Sequence, residues 1–185
     1  KEFPKYTYKS EAPITAPIVK EVYGPDAEFI ALGYRIPGIH AKDALLADLV
    51  GQILTNGRAG LIDLNLVKKQ KLLRAAASPD ILVDHGYMYM QGVPTLGQNL
   101  DEVRTLMLGE IENLKQGNFD EELLESIINN QKKAMMQQSE KYSSRAGALM
   151  GAFVNEEDWL NDVSYTDKLS KLTKKDIVDF ANKYF

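Results

Sequence analysis

The sequence predicts an α+β fold, a two-layer sandwich in which helices pack on one face of a mostly antiparallel sheet. Two observations favour this class. Short runs of alternating apolar and polar residues, typical of strands, occur only in the first half of the chain, and helical periodicity dominates from Asn99 onward. One amphipathic helix interrupts the strands after His40. Strands early and helices late are most simply accommodated as one sheet covered by helices on one side.

Composition fits one globular domain and excludes several classes of function. The chain has 185 residues, of which 44% are hydrophobic, enough for a substantial core. Its net charge of −4 disfavours nucleic acid and anionic lipid as partners. The chain has no cysteine, which excludes disulfides, thiolate metal sites and a cysteine nucleophile. No apolar run approaches the roughly 20 residues needed to cross a bilayer, so we expect no membrane insertion.

The chain is expected to begin with an extended lead-in or linker over residues 1–17, followed by a single domain over residues 18–185. Prolines punctuate the lead-in and disfavour helix there: Pro4, Pro13 and Pro17. The first residue is Lys1 rather than methionine, which suggests a domain excised from a longer multidomain chain. Residues 18–23 (IVKEVY) are then predicted to form a strand that Gly24-Pro25-Asp26 ends, and clean alternation of apolar residues predicts a second strand over residues 28–36.

The helix predicted after residue 42 is the element around which the rest of the predicted fold is built. Its apolar residues recur at helical spacing and form one wide stripe: Leu45, Leu46, Leu49, Val50, Ile53 and Leu54. Asn56-Gly57 should end it, because both residues tolerate the left-handed conformation. A second short helix is predicted over residues 61–70, and strands over residues 72–78 and 83–93 should form a hairpin that turns near Pro79-Asp80.

Helical signals fill the rest of the chain. Asn99 with Glu102 resembles a capping box, Gln116-Gly117-Asn118 should end that helix, and Phe119 should pack on Leu124 across an Asp120 cap. The next helix should break near Ser139 or Tyr142. Trp159-Leu160 is expected to anchor a turn, and Thr173 with Asp176 should cap a terminal helix.

Candidate chemical groups are few. His40 and His85 lack a second ligand at helical spacing, and Asp84 points to the opposite face of a strand from His85, so both histidines are predicted to be ordinary surface residues. Acidic runs at residues 120–125 and 156–158 and the basic set Lys68, Lys69, Lys71 and Arg74 are predicted to be solvated. The segment Tyr87-Met88-Tyr89-Met90 fits either an exposed sheet face that binds a partner or, slightly better, core packing.

The order of these signals resembles the pitrilysin and insulinase superfamily of zinc metallopeptidases, which includes the mitochondrial processing peptidases. The resemblance covers the chain from about Phe29 onward. It is carried by FIALGYRIPG, DALLADLVGQILTNG, GLIDLNLVKKQKLL, GVPTLGQNLDEVRTLMLGEIENLKQGNFDEELLESIINNQKK and LTKKDIVDFANKYF. It implies an α+β repeat of the processing-peptidase type that continues into a further strand after FANKYF.

The resemblance also implies where a zinc site would lie. Catalytic domains of the superfamily carry an H-x-x-E-H motif on the helix after a strand. Aligned on the Asn56-Gly57 stop, the motif positions fall on Asp48, Gly51 and Gln52. Non-catalytic domains of active members often supply an arginine and a tyrosine that reach the substrate, and here Val67 and Arg74 stand at those positions. We therefore expect no catalytic, cofactor-binding or metal-binding residue in this chain.

The resulting hypothesis is a non-catalytic, substrate-enclosing domain of a zinc metallopeptidase. Zinc would be bound by a separate catalytic domain of the same chain or by a partner subunit, and the substrates would be peptides. The alternatives are a catalytically dead scaffold subunit of a complex and an unrelated α+β binding domain. The sequence does not decide whether the protein is located in the bacterial periplasm or the cytoplasm.

Overall fold

A computed structural model describes residues 11–185, apart from the side chain of Asp162. The strands are β1 (Ile30–Pro37), β2 (Arg74–Ile81) and β3 (His85–Val93), and a π-helix spans Asp63–Val67. The α-helices are α1 (Ala44–Leu54), α2 (Leu100–Lys115), α3 (Glu121–Ser139), α4 (Tyr142–Val154), α5 (Trp159–Val163), α6 (Tyr165–Leu169) and α7 (Lys174–Tyr184). None of the helices within residues 11–185 is both long and apolar enough to span a bilayer. The predicted lead-in over residues 1–17 lies mostly outside the described residues.

The strands form one antiparallel sheet in the order β1-β3-β2. Side chains alternate across it as a half-buried strand requires: Met88 and Met90 are fully buried, whereas Tyr87 and Tyr89 on the opposite face are 43% and 40% exposed. Both interpretations of residues 87–90 therefore hold in part: the methionines pack in the core, and the tyrosines lie on an exposed sheet face. The helices cover the methionine face only, and the predicted α+β two-layer class is confirmed.

The core lies between this sheet face and the helices. Helix α1 contacts β2, α3 and α7, and its predicted apolar stripe is confirmed, with Leu49, Val50, Ile53 and Leu54 all fully buried. Helix α7 closes the other side through Ile177 and Phe180. By contrast, α4 contributes no buried residue.

The strand predicted over residues 18–23 is wrong. These residues have no regular structure, and Ile18 and Val22 are 75% and 92% exposed. A strand is stabilised by hydrogen bonds to a neighbouring strand, and within residues 11–185 no strand pairs with this segment. The local sequence IVKEVY resembles a strand but carries no information about a pairing partner.

The predicted position of the hairpin turn is also wrong. Pro79 and Asp80 lie inside β2 and pair with Met88 and Tyr87, and the chain reverses at residues 82–84 instead. A proline has no N–H to donate, but β2 is an edge strand, where that loss is tolerated. The observed register places the Pro79 ring against α1.

A third correction concerns Trp159-Leu160, the predicted anchor of a turn. Leu160 is 67% exposed, and both residues begin the short helix α5 rather than packing into the core. Leu169, in the next helix, is the fully buried residue of this region. A pair of large apolar residues in an otherwise polar run indicates an anchored turn, but the sequence does not show that a short helix forms there.

Most predicted helix ends are confirmed. Asn99 Oδ1 accepts the Glu102 N–H at 2.9 Å, Thr173 and Asp176 form a complete capping box, and Gly57 and Gly117 have φ of +75° and +70°. Helices α3 and α4 meet at residues 140–141, as expected. Asp120 precedes α3 with cap-like backbone angles, but its side chain makes no capping hydrogen bond.

Candidate functional site

Helix α1 carries the residues at the zinc-motif positions, and its N-terminus is fixed by the last helix of the chain. Asp43, which precedes α1, accepts hydrogen bonds from Lys183 Nζ at 2.8 Å and Tyr184 Oη at 2.7 Å. Burial acts to raise the pKa of Asp43, but these hydrogen bonds and the charge of Lys183 outweigh it and lower the pKa. The start of α1 is thus tied to α7.

The C-terminus of α1 is fixed by a buried carboxylate. Asp63 Oδ2, at the start of the π-helix, accepts the backbone N–H groups of Asn56 and Gly57, both at 2.8 Å. Thr55 Oγ1 accepts the Ala77 N–H of β2 at 3.0 Å. Because both ends are fixed, the side chains in the middle of α1 have a defined orientation.

The zinc-motif positions lie on the middle of α1 in three different environments. Asp48 and Gln52 are half-buried. Gly51 is buried against β2, where a Cβ atom would lie 2.6 Å from Cδ of Pro79, closer than real Cβ contacts come. The ring of Pro79 therefore occupies the space that any side chain at position 51 would need.

Asp48 faces a cleft of about 810 Å³ beside α1. One wall is formed by α1 and the end of β2, and the other by α4 and α6. The α4 wall is made of small residues, Ala148, Gly151 and Ala152, while α6 contributes Tyr165 and Lys168. The cleft opens to solvent and is large enough to accept side chains of another molecule.

The cleft is electrostatically unusual around Asp48. Burial raises the pKa of the Asp48 carboxyl group. Burial and the charge of Asp48 together raise the pKa of the neighbouring Tyr165 to about 12. Tyr165 thus stays neutral at physiological pH, and the cleft presents a carboxylate next to a phenol.

The other residues considered from sequence are dispersed. His85 is exposed at the start of β3, and His40 is exposed at the rim of the cleft. Val67 is half-buried at the end of the π-helix and Arg74 is exposed at the start of β2. Within residues 11–185 no three His, Cys, Asp or Glu side chains come close enough together to hold a metal ion.

The prediction that the charged runs are simply solvated holds for the basic residues but not for the acidic run at residues 156–158. The basic side chains are exposed as predicted, and Lys69 Nζ donates to Asn65 Oδ1 at 3.0 Å. The acidic run at 156–158 was predicted to be only a solvated surface, but Glu157 and Asp158 line the cleft. Sequence reasoning also missed Pro79 and Tyr165, because no local pattern shows that residues so distant in sequence meet α1.

Comparison with known proteins identifies the family. Residues 1–131 match the family model described as the peptidase M16 inactive domain. The chain belongs to this family. The resemblance to the pitrilysin and insulinase superfamily of zinc metallopeptidases is thereby confirmed.

Individual relatives agree with this M16 assignment. The zinc protease PqqE of Helicobacter pylori is 26% identical over 180 residues, which span 96% of this chain and 39% of PqqE. A crystal structure of a protease from the same organism superimposes with a TM-score of 0.78 at 25% identity, covering 85% of this chain and 38% of that one. An inactive peptidase domain from Bordetella parapertussis has a TM-score of 0.72 at 19% identity, covering 84% of this chain and 85% of its own.

Proposed function

We propose that this M16 domain is a non-catalytic part of a zinc metallopeptidase and helps to enclose peptide substrates. Zinc and catalysis are assigned to another domain of the same protein or to a partner subunit. The observation that carries the proposal is the environment of Gly51, where the ring of Pro79 fills the space a catalytic glutamate would require.

The residues at the zinc-motif positions do not fit a zinc ion. A catalytic zinc site needs three protein ligands and an open position for water. Asp48 offers one carboxylate, Gln52 a neutral amide and Gly51 no side chain at all. A general base is needed to activate the zinc-bound water, and position 51 has none.

The enclosing role is supported by the relatives' lengths and by the cleft. The chain spans 39% of the length of PqqE, so that protease contains further protein beyond the matched region. In this chain, the cleft between α1 and α4 offers an open, mixed polar and apolar surface beside the vestigial motif. An open cleft of this size can accept a segment of unfolded peptide.

The proposal is tested with the full-length gene product that contains this domain. We expect it to cleave unfolded peptides in a reaction that a zinc chelator abolishes and added zinc restores. Folded proteins should be cleaved far more slowly, since an enclosing chamber selects by size. A full-length protein with no chelator-sensitive cleavage would contradict the proposal and favour the scaffold alternative.

A further inference from the structure

Within residues 11–185, the Asp48 carboxylate has neither a hydrogen-bond donor nor a cation as a partner. Burial is the cause of its raised pKa, and neither a hydrogen bond nor a positive charge opposes that effect. A half-buried carboxylate without a donor or a cation carries a desolvation cost that a bound cation would offset.

The rest of the cleft does not supply that cation. The charged side chains lining it are Asp48, Asp80, Glu157 and Asp158 against Lys42 and Lys168, with His40 at the rim. Lys168 Nζ donates to Asn161 Oδ1 at 2.8 Å, and the Asp80 carboxylate accepts a hydrogen bond from the Tyr87 hydroxyl at 2.7 Å. The cleft therefore has an excess of negative charge.

The shape of the cleft fits a long side chain with a charged end. Ala148, Gly151 and Ala152 of α4 and Ala44 and Leu45 of α1 all line the cleft and give it small and apolar walls. The aliphatic part of an arginine or lysine can lie along such walls while its charged group reaches a carboxylate. The 810 Å³ volume is more than one such side chain needs, which leaves room for the adjoining backbone.

We infer that this cleft is a recognition pocket for a basic side chain of an unfolded peptide, whose guanidinium or ammonium group pairs with Asp48 while its methylene groups pack against α4. The inference rests on the proposed function and adds a substrate class to it. Basic peptides bind preferentially, and Asp48, at the position of a lost zinc ligand, is a specificity-determining residue.

Binding of matched peptides to this chain tests the inference. The probes are a short unstructured peptide with a central arginine, the same peptide with lysine, and the same peptide with citrulline, the neutral analogue of arginine. Fluorescence anisotropy at low salt should show that citrulline weakens binding on the order of tenfold relative to arginine. The lysine peptide distinguishes recognition of charge alone from recognition of the planar guanidinium group.

A variant pair assigns the effect to the cleft. Asp48→Asn should weaken binding of the arginine peptide on the order of tenfold and leave the citrulline peptide unchanged. Glu125→Gln, which removes an equal charge from an exposed position on α3, should change neither. Circular dichroism confirms that both variants are folded.

The outcomes separate this inference from the proposed function. Equal binding of the arginine and citrulline peptides, or equal loss in both variants, would overturn the pocket while leaving chelator-sensitive cleavage by the full-length protein as a separate result. Absence of binding by any peptide would also overturn it. Peptide binding that depends on Asp48, combined with a full-length protein that cleaves nothing, would retain the pocket and reject the peptidase.

Discussion

At the scale of single residues, Gly51 and Pro79 form the contact that distinguishes α1 from a zinc-binding helix. A glycine in the middle of a helix ordinarily costs up to about 1 kcal/mol relative to alanine. Here the glycine is needed, because a Cβ would lie 2.6 Å from Cδ of Pro79. Where the zinc motif has a glutamate, this chain has a glycine, and the Pro79 ring fills the space beside it.

Substitution of Gly51 tests this contact. We expect Gly51→Ala to lower the free energy of unfolding by about 1–3 kcal/mol, because overpacking outweighs the gain in helix propensity. Gly147→Ala on α4 is the matched control, since nothing lies within 4 Å of its added Cβ, and it should stabilise slightly. Urea denaturation measures both. A stabilising Gly51→Ala would show that the Pro79 ring does not occupy this space.

Asp48 provides a second prediction at this scale, a dependence of stability on pH. Its native pKa is raised by burial, so ionisation destabilises the folded state, and the cost is present above the native pKa and relieved as pH falls toward the unfolded value of 3.8. Asp48→Asn should therefore raise the free energy of unfolding at pH 7 and lose that advantage near pH 3. A constant difference between the two proteins across this range would contradict the assignment.

At the scale of elements, the junction between α1 and the π-helix depends on one carboxylate. Asp63→Ala removes the acceptor of the Asn56 and Gly57 N–H groups, and the free energy of unfolding should fall by about 2–3 kcal/mol. Glu125→Ala on the exposed side of α3 should change it by less than about 0.5 kcal/mol. Thermal unfolding of the two variants gives the comparison, and similar midpoints would argue against a role for Asp63.

Helix α4 is expected to be less stable than the helices of the core. It contributes no buried residue, whereas α2 buries Val103, Met107 and Leu114. Local opening requires little loss of apolar contact in α4, so its amides should exchange with solvent much faster than those of α2. Native-state hydrogen exchange measured by mass spectrometry checks this, and equal protection of both helices would contradict it.

Features that depend on neighbouring residues could be predicted from the sequence, whereas features that depend on contacts between distant residues could not. Strand β1, helix α1 and the caps at Asn99 and Thr173 were predictable, because alternation, helical periodicity and capping are local signals. The strand expected over residues 18–23 and the turn at Pro79-Asp80 were not, since pairing partners and register depend on distant residues. The same holds for the site: the positions of Asp48, Gly51 and Gln52 followed from the family resemblance. The packing of Pro79 on Gly51 and the placing of Tyr165 near Asp48 required the fold.

At the scale of the whole molecule, an M16 α+β fold is preserved around a helix whose zinc-motif positions have other roles. Leu49, Val50, Ile53 and Leu54 fill the core, so apolar packing holds α1 in the fold. The Pro79 ring fills the space beside Gly51, and the cleft opens beside Asp48. Under the proposed function, the domain keeps its fold and its cleft while another domain or a partner subunit carries out catalysis.

The most direct test of this account is the zinc content of the purified chain after incubation with excess zinc and gel filtration. Inductively coupled plasma mass spectrometry measures the zinc, and a quenched fluorescent peptide reports hydrolysis by the same sample. The account predicts well below about 0.1 zinc per chain and no chelator-sensitive hydrolysis, because a catalytic zinc site requires three ligands that α1 does not provide. One tightly bound zinc per chain, lost on Asp48→Asn and accompanied by peptide turnover, would contradict it.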